Sequence, residues 1–164
     1  MRVDEFLRKF QEEHWKAHTH LPAPSPYPAY DLQFLPNTQM IRGTDVMAVY
    51  GLLTHYTTQH GYTQIQASGA IGANRGGGWL TPTIYAACMA PYNLSLTSPR
   101  DVCLLVNVGG LGLWGPGTAG PTLQKSGGFP DQWYGGGIEF YSPLPIDIGR
   151  VSYKYEILPC GDRH

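Results

Sequence analysis

The hydrophobic and polar positions near the N-terminus recur with a helical period. Over residues 3–15 the apolar side chains fall near one face, at Val3, Phe6, Leu7, Phe10 and Trp15. This pattern predicts an amphipathic helix. Four prolines follow within residues 21–28 and favour an extended, polyproline-like linker, because proline lacks the N–H that a helix needs. We therefore expect a helix and a linker over residues 1–39, and the main domain over residues 40–164.

The main domain shows short apolar runs separated by polar or glycine-rich stretches. Residues 46–56 are apolar and are interrupted by Gly51, so they predict either a strand or a short helix followed by a strand. Residues 58–67 predict a short helix, because Thr58 is a good N-cap and Gly69 tolerates the positive φ of a helix end. Other segments predict one helix at 83–93 and strands at 101–108, 137–142 and 151–158.

The composition favours a β-rich fold with many loops. Of the 164 residues, 21 are glycine and 14 are proline. Only 14% are charged, well below the roughly 25% of an average globular chain. The segment 109–137 is so rich in glycine and proline that we expect no regular element in it. The predicted fold class is α+β.

The charge balance provides no overall basic field, so any affinity for nucleic acid would have to come from a local patch. Eleven Lys and Arg residues against twelve Asp and Glu residues give a net charge of −1, so no long-range field attracts a polyanion. The three cysteines form no CxxC pair, which indicates reduced thiols in a cytosolic setting rather than a zinc site. No run of about 18 apolar residues occurs, so no membrane span is expected.

The segment 55–71 carries the strongest candidate chemistry. It presents His55, Tyr56 and Thr57 at a predicted strand end, next to the start of the predicted helix. A polar triplet in that position suits an anionic or sugar ligand. Taken alone, the same residues favour a strand–turn–helix joint with a structural histidine over a ligand site.

The order His-Tyr-Thr, then Gly, Ile, Ser-Gly and Ile, over residues 55–71 resembles the first motif of the ADP-ribosyltransferase superfamily. The match is to the His-Tyr-Glu clade, which includes diphtheria-toxin-like enzymes, poly-ADP-ribose polymerases and bacterial polymorphic-toxin domains. The resemblance implies an α+β fold with two small antiparallel sheets around an NAD cleft. It also implies that His55 hydrogen-bonds ribose hydroxyls of NAD, and that Tyr56 and Thr57 flank the nicotinamide.

A second segment, Gly-Trp-Leu-Thr at residues 78–81, resembles the family motif that packs an aromatic ring against nicotinamide. The resemblance implies that Trp79 and Thr81 contact NAD, with Trp79 standing where the family usually has tyrosine. Tyr85 lies six residues farther on and offers an alternative ring. Either ring gives nicotinamide a flat π surface. The sequence leaves the choice between them open, and Trp79 also suits a core position.

A carboxylate on a late predicted strand completes the candidate site. Glu139 follows three glycines and resembles the family's catalytic glutamate, which hydrogen-bonds the 2′-hydroxyl of the nicotinamide ribose. Breaking the C–N glycosidic bond builds positive charge on C1′, and a fixed carboxylate nearby lowers that barrier. Glu156, on the last predicted strand, is the rival candidate, but no glycine-rich stretch precedes it.

The resemblance implies an enzyme that cleaves NAD, as its substrate, and transfers ADP-ribose to a macromolecular acceptor, as toxins and effectors do. The segment 109–137 is aromatic and nearly uncharged, which favours a protein acceptor over nucleic acid. Family analogy adds an inhibitory partner protein, and action in the cytoplasm after secretion or delivery into a target cell. Two alternatives remain: an NAD glycohydrolase on the same fold, and a catalytically inactive binding module. No metal site is expected.

Overall fold

The computed structural model describes residues 39–74, 76–82, 100–118, 122–124, 132–134 and 138–156, together with Glu5 and Arg8. Glu5 and Arg8 are helical, as the N-terminal pattern predicts. The remainder of that predicted helix, the proline-rich linker and the predicted helix at 83–93 lie outside the described residues.

The described elements are short strands interspersed with two α-helices and one 3₁₀ helix. In chain order they are β1 (Met40–Arg42), α1 (Gly43–Tyr50), β2 (Leu53–Thr57), α2 (Gln59–Ser68), β3 (Ala70–Ile71), β4 (Gly78–Leu80), β5 (Val102–Val106), β6 (Gly112–Thr118), β7 (Thr122–Gln124), β8 (Gln132–Tyr134), β9 (Ile138–Ser142), β10 (Ile146–Asp147), the 3₁₀ helix (Ile148–Arg150) and β11 (Val151–Glu156). No helix in this part of the chain is long and apolar enough to cross a membrane.

The strands form two main sheets, and every pairing within the sheets is antiparallel. A four-stranded sheet has the order β1-β6-β9-β4, and a three-stranded sheet has the order β11-β5-β2. Two further pairs, β10-β3 and β7-β8, are two-stranded. The predicted α+β class with antiparallel sheets is confirmed at this level.

The hydrophobic core takes side chains from both main sheets and both helices. Strand β5 is buried along its whole length, as its continuous apolar run predicts. In the four-stranded sheet, inward-facing and outward-facing side chains alternate along each strand, because successive side chains of a strand point to opposite faces. Its inner face buries Leu80, Leu113 and Phe140. Helix α1 contributes Val46 and helix α2 contributes Ile65 to the same cluster.

The two main sheets meet at one point, where Thr54 of β2 forms an isolated antiparallel bridge with Thr81. Each residue's backbone N–H donates to the other's carbonyl oxygen, at 2.8 and 2.9 Å. The Thr54 hydroxyl also donates to the Thr81 carbonyl oxygen, at 2.8 Å. Both residues are buried. The bridge is isolated, so β2 and β4 separate on the side of His55 and Trp79.

The local predictions for the two described α-helices are confirmed. The segment from residue 46 adopts the helix-then-strand alternative, with Gly51 ending α1 at φ 76°. Helix α2 begins after Thr58, whose side chain accepts a hydrogen bond from the backbone N–H of Gly61. It ends at Gly69 in the left-handed region. These predictions depend on local signals, because a capping residue stabilises the end of its own helix in any tertiary fold.

The expectation that residues 109–137 contain no regular element is wrong. Strands β6, β7 and β8 all fall in this range. Strand β6 lies between β1 and β9, so it forms backbone hydrogen bonds on both sides. An irregularity in its register between Trp114 and Gly117 accommodates the Gly-Pro pair. Neighbouring strands therefore override the low strand propensity of glycine and proline.

Cys103 of β5 is a free and fully buried thiol. Burial raises the pKa of this thiol, and a side-chain hydrogen bond with Tyr56 only partly opposes the effect. Because the thiolate is the reactive form, Cys103 is a packing residue.

Phe140 is the largest fully buried side chain of the core, so its truncation provides a direct test of the fold. We expect Phe140→Ala to lower the free energy of unfolding by about 3–5 kcal/mol through lost burial and a residual cavity. Leu144→Ala is the control, because Leu144 is 69% exposed and its truncation should cost only about 0.5 kcal/mol. Urea unfolding measures both, and equal effects would contradict this packing.

Candidate functional site

A cavity of about 280 Å³ lies where β2 and β4 separate. Strand β2 contributes His55 and Thr57, and helix α2 contributes the wall that faces them. Strand β3 and the turn at 72–74 form a second wall. Gly77, together with Gly78 and Trp79 of β4, and Tyr141 of β9 complete the lining. The cavity therefore follows from the single bridge between the two sheets.

The described lining combines apolar side chains with polar groups and contains no Asp, Glu, Lys or Arg. Gln64 and Ser68 of α2 and Asn74 of the turn supply amide and hydroxyl groups, and His55 is the one titratable side chain besides Tyr141. Such groups bind hydroxyls and amides by hydrogen bonds and fix a ligand's orientation. Within the described residues, no three His, Cys, Asp or Glu side chains cluster in a way that would hold a metal ion.

His55 is fixed in orientation by its backbone neighbour across the gap. Its Nδ1 lies 2.8 Å from the carbonyl oxygen of Trp79. A carbonyl oxygen only accepts, so Nδ1 carries a proton and donates it in this hydrogen bond. The His55 side chain thus links β2 to β4 beside the isolated backbone bridge.

Glycines let β4 approach the cavity closely. A Cβ on Gly77 would lie 1.7 Å from the carbonyl oxygen of Ser142, and one on Gly78 would lie 2.9 Å from the Ile71 side chain. His55 Cε1 and Ile146 Cδ1 would each lie 3.9 Å from the Cβ on Gly78. Close packing therefore requires glycine at positions 77 and 78, whereas Gly76 is favoured by its φ of +78°.

Trp79 and Tyr141 form an aromatic pair at the cavity. Register pairs the two residues across β4 and β9, and their ring centroids are 4.7 Å apart with an interplanar angle of 45°. Trp79 is 51% exposed. It therefore does not occupy the core position that its sequence also allowed. An exposed indole ring beside a polar cavity offers a π surface to a flat ligand.

Glu139 lies near this pair but does not line the cavity. It is half-buried on β9, two residues before Tyr141. The alternation of the strand places the two side chains on the same face, opposite to that of Phe140. Glu139 is thus separated from the cavity by Tyr141, and it has interactions of its own.

The other predicted site residues divide between the cavity and the interior. Thr57 lines the cavity. Tyr56 points to the opposite face of β2, is buried beside Cys103 and does not line the cavity. Thr81 is buried in the bridge between the sheets, so its contribution is structural. Tyr85 lies outside the described residues.

The rival carboxylate Glu156 has a different environment. It is exposed at the end of β11, where Lys154 Nζ lies 3.0 Å from its Oε1. Hydrogen bonds with Lys154 and then Gln59 lower its pKa. Glu139 shares a face of β9 with Tyr141, which lines the cavity, whereas no residue of β11 lines it, so Glu156 is the weaker candidate.

Sequence reasoning missed Tyr141 and the polar groups that α2 and the turn at 72–74 contribute to the lining. Tyr141 had a usable signal, because it lies two residues from Glu139 in a predicted strand and so shares its face. No sequence signal other than polarity marked the remaining residues, Gln64, Ser68 and Asn74. Only the tertiary fold brings the turn and α2 to the same cavity.

Comparison of the chain with protein-family models, with curated proteins and with solved structures finds no match.

The turn that forms the second wall rests on a close backbone contact at Gly72. Gly72 has φ +73°, and a Cβ there would lie 1.8 Å from the Gly77 carbonyl oxygen. We expect Gly72→Ala to lower the free energy of unfolding by about 2 kcal/mol or more, from strain and forced displacement. Gly69→Ala is the matched control, because its φ is +80° with no atom within 4 Å, and strain alone costs about 1 kcal/mol. Thermal and urea unfolding compare the two, and equal losses would argue against this contact.

Proposed function

We propose that the chain is an NAD-cleaving enzyme that transfers ADP-ribose to a macromolecular acceptor. The observation that carries the proposal is the placement of His55. It stands in an uncharged polar cavity, its Nδ1 is held by the Trp79 carbonyl oxygen at 2.8 Å, and an aromatic pair lies beside it. This combination suits a ligand with ribose hydroxyls and a flat ring, and it agrees with the motif resemblance.

In this proposal His55 orients the ribose. In the neutral tautomer that carries its proton on Nδ1, Nε2 would accept a hydrogen bond from a ribose hydroxyl. Thr57 lies two residues on, on the same face of β2, and lines the same cavity. A fixed acceptor at this point holds the sugar in one orientation, which is a prerequisite for cleavage at C1′.

The nicotinamide ring would stack against Trp79. The indole ring of Trp79 is half exposed, and Tyr141 packs against it from one side. The indole is therefore both accessible and held in position. Tyr141 is a second candidate for the stacking ring, since it also lines the cavity. Tyr85 lies outside the described residues, and Trp79 is the better supported of the two rings that the sequence proposed.

Glu139 would stabilise the positive charge that develops on C1′. In the reaction the C1′–N bond breaks, nicotinamide leaves with the bonding electron pair, and the acceptor's nucleophilic atom bonds to C1′ and loses a proton. Glu139 lies beyond Tyr141, so this role requires the ribose to lie at the rim of the cavity on the β9 side. A fixed carboxylate at that point favours the transition state over the ground state.

The deciding experiment incubates the protein with NAD labelled in the adenosine part, with and without cell lysate. The proposal expects label on macromolecules together with released nicotinamide. Nicotinamide release with label only in free ADP-ribose would identify an NAD glycohydrolase. NAD binding without turnover, or no binding, would favour an inactive binding module.

We expect Glu139→Gln to lower nicotinamide release by about 10²-fold or more with little change in NAD affinity, because it removes a charge needed mainly in the transition state. Glu156→Gln is the matched control and should leave turnover unchanged, since Glu156 is exposed and paired with Lys154. Steady-state release and calorimetry measure the two quantities. An unchanged rate, or equal losses of rate and affinity, would count against the role of Glu139.

We expect His55→Ala to weaken NAD binding by about 1–3 kcal/mol, because a ribose hydroxyl loses its acceptor. His60→Ala is the control, since His60 is exposed on α2 and lies outside the cavity lining. Calorimetry gives the affinity, and unfolding curves report whether the loss of the Trp79 contact destabilises the fold. A folded His55→Ala protein with unchanged NAD affinity would refute the assignment.

A further inference from the structure

The floor of the cavity differs chemically from its edge. The buried members of the described lining are Thr57, Ile65, Ile71, Gly77 and Gly78, and we call them the cavity floor. The amide and hydroxyl side chains that α2 and the turn at 72–74 contribute are exposed, so they lie at the edge. The Thr57 hydroxyl is therefore the one polar side-chain group of the floor as described.

The Thr57 hydroxyl has no hydrogen-bond partner within the described part of the chain. Thr57 is 9% exposed and lines the cavity. The neighbouring Thr58 hydroxyl, in contrast, accepts a hydrogen bond from the backbone N–H of Gly61 at 3.0 Å. A buried hydroxyl without a partner costs free energy, and folded proteins keep few of them. A polar group of a bound ligand would satisfy the Thr57 hydroxyl.

Gly61 of α2 leaves space for this hydroxyl. A Cβ at Gly61 would lie 2.2 Å from Thr57 Oγ1 and 3.3 Å from Thr58 Oγ1. Glycine within a helix is less favourable than alanine, and Gly61 also lines the cavity. The chain thus keeps an unfavourable helix residue where the Thr57 hydroxyl meets the cavity. Local costs of this kind are typical of functional positions.

The floor fits a flat apolar ring that carries one polar substituent. Ile65 and Ile71 suit the ring, and the Thr57 hydroxyl can donate to a carbonyl oxygen or accept from an amide N–H. A ribose has several hydroxyls, and adenine has several polar edge atoms. Either group would place polar atoms against the isoleucines without partners. A pyridine ring with a single carboxamide avoids this mismatch.

We propose that Thr57 is a specificity-determining residue, whose hydroxyl binds the carboxamide of nicotinamide at the cavity floor. The inference rests on the proposed NAD-cleaving function, because it names the part of the substrate that the floor selects. Trp79 lies at the exposed edge of the same cavity. A nicotinamide ring stacked on Trp79 can direct its carboxamide inward to Thr57, while the ribose stays beside His55.

The first test measures the binding of free ligands to the unmodified protein by calorimetry or NMR titration. The probes are nicotinamide, 3-isopropylpyridine, which replaces the carboxamide by an apolar group of similar shape, and adenosine. We expect nicotinamide to bind about 10-fold or more tightly than 3-isopropylpyridine, because a site built around a hydrogen bond rejects an analogue that lacks it. Equal binding of the two pyridines, no binding of nicotinamide, or tighter binding of adenosine would overturn the proposal.

Variants of Thr57 separate ligand recognition from a role in folding. Thr57→Val keeps the shape and removes the hydroxyl. We expect it to weaken nicotinamide binding about 10-fold, to leave 3-isopropylpyridine binding unchanged, and to retain or raise the thermal unfolding midpoint, because no hydrogen bond within the protein is lost. Thr57→Ser keeps the hydroxyl and should retain the preference for nicotinamide. Unchanged nicotinamide binding in Thr57→Val, or equal losses for both pyridines with a lower midpoint, would contradict the proposal.

Gly61→Ala gives a second variant that keeps the hydroxyl and displaces it. We expect it to weaken nicotinamide binding about 5-fold, and unchanged binding would argue against the proposed contact. With NAD as substrate, Thr57→Val should raise KM more than it lowers kcat, as expected for a binding contact. Failure of the proposed function is distinguishable, because the parent protein would then release no nicotinamide from NAD while the binding of free nicotinamide would still depend on Thr57.

Discussion

The contact on which the candidate site depends is the bridge between Thr54 and Thr81. It joins the three-stranded sheet to the four-stranded sheet through two backbone hydrogen bonds and the Thr54 hydroxyl, all in the protein interior. Buried backbone groups must be paired, so the bridge fixes where the two sheets meet. Because the bridge is isolated, the strands separate immediately beyond it. The cavity is the space that this separation leaves, and His55 spans the gap with its side chain.

Because successive side chains along β4 and β9 point to opposite faces, the core residues and the candidate site residues lie on opposite faces of the same sheet. Leu80 and Phe140 point inward and are buried, while Trp79, Glu139 and Tyr141 are on the outer side. The core residues hold the strands in register, and the register in turn fixes the ring pair at 4.7 Å. Site residues placed on paired strands are positioned more precisely than residues on loops. The aromatic pair is therefore a product of the core packing beneath it.

The sequence predicted those features whose causes are local. Thr58 and Gly69 determine the ends of α2 through capping, and the apolar run of β5 predicts a buried strand. Strand β6 could not be predicted, because its glycines and proline are held by two neighbouring strands that are remote in sequence. The same limit applies to the site. His55 and Trp79 were found by motif, but Gln64 and Asn74 join the cavity only through the tertiary fold.

If the chain cleaves NAD as proposed, the geometry would also constrain the direction from which an acceptor reaches C1′. Helix α2, strand β3 and the turn at 72–74 form walls of the cavity, and Tyr141 belongs both to the lining and to the outer face of the four-stranded sheet. A role of Glu139 at C1′ would place the ribose at the rim beside Tyr141, because Glu139 and Tyr141 share one face of β9. The acceptor would then approach over the face that carries Trp114 and Tyr141.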